Sequence, residues 1–521
     1  MKPIALILAL AAALLAPPLA APPAQAQVRL PSLGDAVSDD VGVGSEKRLG
    51  DEIMRQIRRD PDYIDDPLLL DYVQRLWSRL VAAARQRGDI GADTDAVFAW
   101  EAFLVRDRSF NAFALPGGYV GVHLGLIATA GTRDELASVL GHELSHVTQR
   151  HIARSISSSS RQSMVGMAAM ILGVLAASRA NSPDGINAAI VGSQAAMIQG
   201  QLNFSRDMER EADRIGFNVM TEAGFSPEGM GAMFEKLENA SRLNDSGNYP
   251  YLRSHPLTTE RIGEARTRAQ AAGHADAATP TPEHLLMQAR ARVLGDPMVA
   301  SLRRVQAQAG ESDRTQAAPQ RMAALYGSAL ASSQLRETQR AQASLDAARA
   351  LAGDDAAAQR ILSMLQARIW LDGGEAPRAL ALADSLDDGS RPVMLMRAQA
   401  ALDAARAARS PQSDALRRGT DLLQTWVAEH PQDATAWSLL AQCNAHQGLP
   451  LRAVRAEAEE RAALGDLNGA IDRLRAGQRL ARDAAPGRTD FIDASVIDAR
   501  LRQIDALRRS LQADSRNGPP P

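Results

Sequence analysis

The spacing of apolar and polar positions changes character several times along the chain. From Asp62 to Leu80, the residues Tyr72, Val73, Leu76, Trp77 and Leu80 recur at helical intervals and predict an amphipathic helix. Val97 to Val105 (VFAWEAFLV) is a short apolar run that predicts a strand. Asn111 to Val122 reads as strand, tight turn, strand, with Gly117-Gly118 in the turn. A further helix is predicted to start at Thr132, because Thr132-Arg-Asp-Glu135 is a capping box. Leu136, Val139, Leu140, Leu144 and Val147 form the core-facing stripe of that helix.

Between Arg161 and Arg179 the pattern becomes uncharged, through Met164 to Ser178, and a milder stretch runs from Ile186 to Gly200. Each is shorter than the roughly 20 residues that span a bilayer. The expectation for 164–200 is a helical hairpin over the site, either buried or in peripheral contact with a membrane surface. From about Pro282 the chain becomes a succession of helices joined by Gly- or Pro-containing turns. Gly374 and Gly465 are each followed five residues later by Ala, at Ala379 and Ala470, and Trp437 to Ala441 opens another helix after His430-Pro431. Small residues at these offsets predict paired helices of the tetratricopeptide-repeat kind.

Composition narrows the options. Aromatic residues are only 4% and the formal net charge is -3, so no basic footprint for nucleic acid exists. Met1-Lys2, the apolar run Ile4 to Leu15, the prolines that follow and Ala24-Gln25-Ala26 form the pattern of a cleaved export signal. A mature chain from about Gln27 in the periplasm is expected. The lone cysteine, Cys443, stands far from the cleavage point, which excludes a lipid-anchored signal and an intrachain disulfide.

The chemistry concentrates in His142-Glu143-Leu144-Ser145-His146, on the helix predicted from Thr132. Residues four apart share a helical face, so both imidazoles can reach one ion at about 2.0–2.1 Å. Glu143 flanks that face and can take a proton from a bound water. A catalytic zinc site needs a third protein ligand. The best candidate lies in Arg206-Asp-Met-Glu209-Arg-Glu211-Ala-Asp213, where Glu209 and Asp213 share one face and Glu211 points nearly opposite. Glu209 would ligate and Asp213 would orient a ligand histidine; the competing reading is a solvated acidic face laced to neighbouring arginines. His123 and His151 are expected to be structural.

His142-Glu-Leu-Ser-His146 with Glu209-x-x-x-Asp213 resembles the gluzincin peptidases related to the HtpX heat-shock proteases and the CAAX prenyl proteases. The likeness extends to Asn111-Ala-Phe with Gly117-Gly118, to Ser145 through His151, and to Ser254-His255-Pro256. With the signal and the repeats added, it resembles the periplasmic members that assist assembly of outer-membrane β-barrel proteins. The resemblance implies one zinc ion per chain, Glu209 as third ligand and Asp213 as a supporting residue that can act in proton donation. It implies for His255 either a fourth ligand that displaces the catalytic water, making a latent enzyme, or a stabiliser of the oxyanion.

The expected fold is mainly α with a small β-sheet: a zincin-like metallopeptidase domain, then a helical tetratricopeptide-repeat solenoid. The expected boundaries are signal peptide 1–26, peptidase 27–275, linker 276–300, repeats 301–513 and disordered tail 514–521. The expected activity is hydrolysis of peptide bonds in unfolded or misassembled proteins. The strand Tyr119-Val120-Gly121-Val122 is expected to hold an extended substrate by β-augmentation, and the repeats to meet a client or the outer-membrane barrel-assembly machinery. The rival is a zinc-bearing chaperone or scaffold with minor or latent proteolysis. The intact Glu143 argues against it.

Overall fold

The computed structural model describes residues 42–157, 205–243, 249–273, 279–311, 316–386, 388–483 and 491–517. The expected signal segment 1–26, the hairpin 164–200 and residues 518–521 of the expected tail lie outside them; residues 514–517 end a helix that runs from Phe491 to Asn517.

Helix α1 (Val43–Ile57) leads through the short strand β1 (Tyr63–Ile64) to α2 (Pro67–Arg87). Helix α2 starts five residues later than Asp62, because Asp66 caps it by accepting from the Leu69 N–H and Pro67 occupies the first turn. The five residues of its predicted stripe are all buried. The strand predicted from Val97 is shorter, because Val97 ends helix α3 (Ala92–Val97). Trp100, at a φ of 49°, interrupts the extended run before β2 (Glu101–Val105).

Strands β3 (Ala112–Leu115) and β4 (Tyr119–His123) form the predicted hairpin, turned by Gly117 and Gly118 at φ of 78° and 89°. The sheet order is β1-β2-β4-β3, with β4 parallel to β2 and antiparallel to β3. This corrects the expectation for Tyr119, Val120, Gly121 and Val122. Both edges of β4 are spent on neighbouring strands, so it has no free backbone groups for an added peptide. Among the described residues, the edge strand on the hairpin side of the sheet is β3.

After β4 come α4 (Leu124–Thr129), α5 (Arg133–Thr148), α6 (His151–Ser157), α7 (Arg206–Glu222), α8 (Glu228–Leu243), α9 (Tyr251–Ser254) and α10 (Thr259–Ala271). Helix α5 is capped as predicted: Thr132 accepts from the Glu135 N–H. The Glu135 carboxylate in turn accepts from the Gly131 N–H and pairs with Lys236. Every residue from Asp134 to Val147 is buried, so α5 runs through the core rather than over it. Helices α5 and α7 touch backbone to backbone. A Cβ on Gly216 would stand 2.9 Å from backbone atoms of Gly141 and His142, so glycine there sets how near the two helices lie.

The expected linker 276–300 is mostly helix α11 (Pro282–Gly295), capped by Thr281, and Leu285, Leu286, Met287, Ala289, Ala291 and Val293 are buried on it. It resists the role of a linker because it has apolar residues on nearly every side. His284 on it bridges the Tyr72 hydroxyl (2.7 Å) and the Ala130 carbonyl (2.8 Å), and Arg290 makes a two-pronged contact with Asp66. One cluster of buried apolar residues consequently has members on both sides of α11, from Ile64 to Ile369.

Beyond α11 and the helix Val299–Glu311 the chain forms antiparallel helical hairpins: Ala318–Gln334 with Thr338–Ala352, Ala356–Asp372 with Ala376–Ser385, Arg391–Ala407 with Asp414–Glu429, Ala434–His446 with Pro450–Ala463, and Leu467–Asp483 with Phe491–Asn517. Their array is tied back to the first half. Arg391 bonds both Asp65 and Asp433, Thr435 bonds Asp65, and Gly465 lies so close to Arg55 that a Cβ would stand 2.9 Å from it. The protein is thus mainly α with a small four-stranded sheet. Among the described residues, no helix is long and apolar enough to cross a membrane.

His123, at the end of β4, is buried against Phe113, with Ser109 Oγ 3.1 Å from its Nδ1. Burial pushes its pKa down to about 4, with Asp107 opposing. A histidine that is harder to protonate in the folded chain than in the unfolded one stabilises the fold fully above pH ~6.5. That contribution is lost as the pH falls towards 4, by up to about 1.4 kcal/mol per unit. His123→Gln is therefore expected to flatten the loss of stability between pH 7 and 5, read as the shift in urea midpoint. An unchanged slope would refute this.

Candidate metal centre

The site forms where α5, α7 and the turn after α9 meet. Helix α5 supplies His142, Glu143 and His146 on one face, and α7, capped by Ser205, supplies Glu209 and Asp213 four residues apart. His255 follows α9 directly. Its N–H bonds the Tyr251 carbonyl at 2.9 Å, and its ring stacks on Tyr251 with centroids 4.5 Å apart. All of these groups are buried, His146 and Glu143 completely.

Four donor atoms converge. His142 Nε2 lies 3.0 Å from His146 Nε2 and 3.3 Å from His255 Nδ1, and His255 Nδ1 lies 2.9 Å from Glu209 Oε1. Glu209 is 3.5 Å from both His142 Nε2 and His146 Nε2. A tetrahedral ion with bonds of about 2.0–2.1 Å needs donors roughly 3.3 Å apart, which is the spacing present. His142 also gives its Nδ1–H to Asp213 Oδ1 at 2.9 Å, so a bare lone pair is left at Nε2, facing other nitrogens. Converging lone pairs in a dry pocket repel unless a cation sits among them. The residues fit a metal ion.

The charges around the donors are set by burial and by one arginine. Arg261, capped into α10 by Thr258, makes a two-pronged contact with Asp213 (2.6 and 2.8 Å) and reaches Glu209 Oε2 (2.9 Å) and the Pro256 carbonyl (2.7 Å). Burial raises the pKa of Glu209, but the histidines His255, His146 and His142 outweigh it and hold the carboxylate well below its usual range. Asp213 is likewise held down, by Arg261 and His142 against burial. Burial raises Glu143, only partly offset by His255, by His142 and by a backbone hydrogen bond from Ala114, and His255 Nε2 lies 3.5 Å from its Oε1. Burial drives His146 strongly towards its neutral form, whereas at His255 the carboxylates of Glu209 and Glu143 outweigh burial and raise the pKa.

The structure therefore brings together His142, Glu143, His146, Glu209, Asp213 and His255, and leaves Tyr119, Val120, Gly121 and Val122 inside the sheet. Strand β3 instead lies beside the centre, with the backbone of Ala114 next to Glu143. Sequence reasoning missed Arg261 altogether. A Thr cap followed by an arginine, 48 residues beyond Asp213, carries no local sign of where it points.

Residues 70–269 match the profile of peptidase family M48. The beta-barrel assembly-enhancing protease of Yersinia pestis is 31% identical over 499 residues, covering 93% of this chain and 92% of that protein. The putative beta-barrel assembly-enhancing protease of Vibrio cholerae serotype O1 is 39% identical over 267 residues, 51% of this chain and only 52% of that protein. The mitochondrial metalloendopeptidase OMA1 of Saccharomyces cerevisiae is 29% identical over 197 residues, 36% of this chain and 53% of that protein.

Proposed function

The chain belongs to peptidase family M48, with a beta-barrel assembly-enhancing protease as a near full-length relative, and from that premise we propose a zinc endopeptidase of the periplasm that cleaves unfolded or misassembled polypeptides during outer-membrane protein assembly. It is a metalloendopeptidase. His142, His146 and Glu209 are the ligands in this reading, and Glu143 is the general base. The observation that carries it is the convergence of protein donors from His142, His146 and Glu209 on one point beside the fully buried carboxylate of Glu143.

When bound, the ion polarises the scissile carbonyl and lowers the pKa of a water. Glu143 takes the proton of that water and delivers it to the leaving amine. Burial suits it to both steps, because a carboxyl with a raised pKa holds a proton long enough to pass it on. Asp213 keeps the His142 proton on Nδ1 and the ring turned inward. The open edge of β3, beside Glu143, accepts the substrate as an added strand. This mode reads backbone rather than side chains and suits unfolded clients. The helical hairpins act as a tetratricopeptide-type surface for a client or for the barrel-assembly machinery.

In this reading His255 would be a fourth donor beside His142, His146 and Glu209, standing where a catalytic water is needed, and the resting enzyme would be latent until the turn after α9 moved. A scaffold without proteolysis is the weaker reading, since it has no use for Glu143. The test is cleavage of an unfolded barrel protein by the purified chain, with one zinc measured per monomer. Chelation is expected to abolish cleavage and zinc to restore it. His255→Ala is expected to keep the metal and to cleave several-fold faster. If His255→Ala loses metal as completely as His142→Ala, the latch is wrong; if chelated protein cleaves as fast as loaded protein, the zinc peptidase reading is wrong.

A further inference from the structure

His142 has Asp213 behind it, and among the described residues the group behind His146 is a second histidine. The Nδ1 of His146 lies 2.8 Å from Nδ1 of His151, a residue five positions on that an unbroken helix would carry to another face. The chain makes the contact by stopping α5 at Thr148 and turning through Arg150, whose φ of 51° is the left-handed conformation that residues other than glycine rarely adopt. Arg150 is tied down in that pose by Glu46 at 2.9 Å. The turn brings His151 back beneath His146, fully buried. The other ring nitrogen of His151, Nε2, lies 3.1 Å from Glu211 Oε2, which also accepts from Arg154 at 2.9 Å.

The order of protons along this chain has one solution that leaves a metal-binding lone pair. Glu211 is a carboxylate and only accepts, so the His151 proton sits on Nε2. His151 Nδ1 is then bare and must accept, so His146 carries its proton on Nδ1. His146 Nε2 is left with its lone pair pointing at the metal position. Reversing either ring would put two N–H groups face to face or direct an N–H into the centre. We infer that His151, backed by Glu211, is the positioning residue that fixes the tautomer and orientation of His146 for metal binding, as Asp213 does for His142. The two ligand histidines are thereby set from opposite sides by groups on α6 and α7.

The inference rests on the metal-site reading of His142, His146 and Glu209, and its test separates the two. Metal affinity is measured by competition with a chelator for the wild type, His151→Asn and His151→Leu. Asparagine places a carbonyl oxygen close to where Nδ1 stands and can accept from His146, whereas leucine cannot. The expected result is a 10- to 100-fold weaker metal complex for His151→Leu and only a few-fold change for His151→Asn. The thermal midpoint of the two metal-free variants should be alike. Equal affinity of wild type and His151→Leu, or an asparagine variant no better than the leucine one, would overturn the inference. Because a variant can fail to fold, the ring protons of His146 and His151 are also read by long-range proton–nitrogen correlation in the wild type. A proton on His151 Nδ1 would refute the assignment even if the metal binds, while absence of metal from the wild type would sink the zinc reading instead.

Discussion

Glu143→Gln is expected to bind metal as tightly as the wild type and to lose peptide-bond cleavage by about 10²- to 10⁴-fold, the usual contribution of a positioned general base. The substitution keeps the shape of the side chain and leaves every donor of the cluster in place, so the fold and the ion should be untouched. What it removes is the ability to accept a proton. Glu143 is suited to that role because it is fully buried beside the donor cluster, where burial raises its pKa, and because His255 Nε2 stands 3.5 Å from its Oε1. Substrate affinity, taken from inhibition by an uncleaved peptide, should stay within a few-fold, since binding through the β3 edge uses backbone groups rather than this carboxylate. Cleavage by Glu143→Gln at the wild-type rate, with metal content equal, would remove the residue from the mechanism and revive the scaffold reading.

The parts of this site that the sequence makes legible are those with a local geometric signature. The capping box at Thr132 sets the helix phase, and once the phase is known His142, Glu143 and His146 follow from spacing. The same spacing puts Glu209 and Asp213 on one face of a second helix, where the family resemblance, not the spacing, favours them over a solvated acidic face, and Gly117-Gly118 marks the hairpin of β3 and β4. What stays hidden depends on pairings between distant segments. The parallel partnership of β2 with β4 turns an apparent edge strand into an interior one, and nothing in the run Tyr119 to Val122 records the order of strands. The absence of polar alternation there was nevertheless a usable sign, since a strand buried on both faces loses it. Helical spacing alone would carry His151 to another face than His146, and no local signal marks the break at Arg150 that brings the two together. Helix α11 falls within the expected linker 276–300, although Thr281-Pro282, a cap and a first-turn proline, marks its start.

Arg261 is expected to matter most when the metal is absent. It is 3% exposed and meets both Asp213 and Glu209, which are themselves buried, with Glu143 close by. Arg261→Met would leave those carboxylates in a dry pocket with no permanent cation, and removing one partner of a buried ionic group costs about 3–5 kcal/mol. A divalent ion bound among His142, His146 and Glu209 supplies positive charge at nearly the same place and offsets much of that loss. The metal-free variant is therefore expected to lose about 3–5 kcal/mol, read from urea unfolding, and the zinc-loaded variant markedly less. Arg261→Lys should fall between, because an ammonium restores the charge but not the two-pronged contact with Asp213. The difference between the two forms is the informative quantity: a purely structural arginine, valued for packing on Phe234 at 5.3 Å, would cost the same with and without the ion. Equal losses in both forms would show that the carboxylates do not need a cation from either source, and would break the link between the charge of this pocket and its affinity for metal.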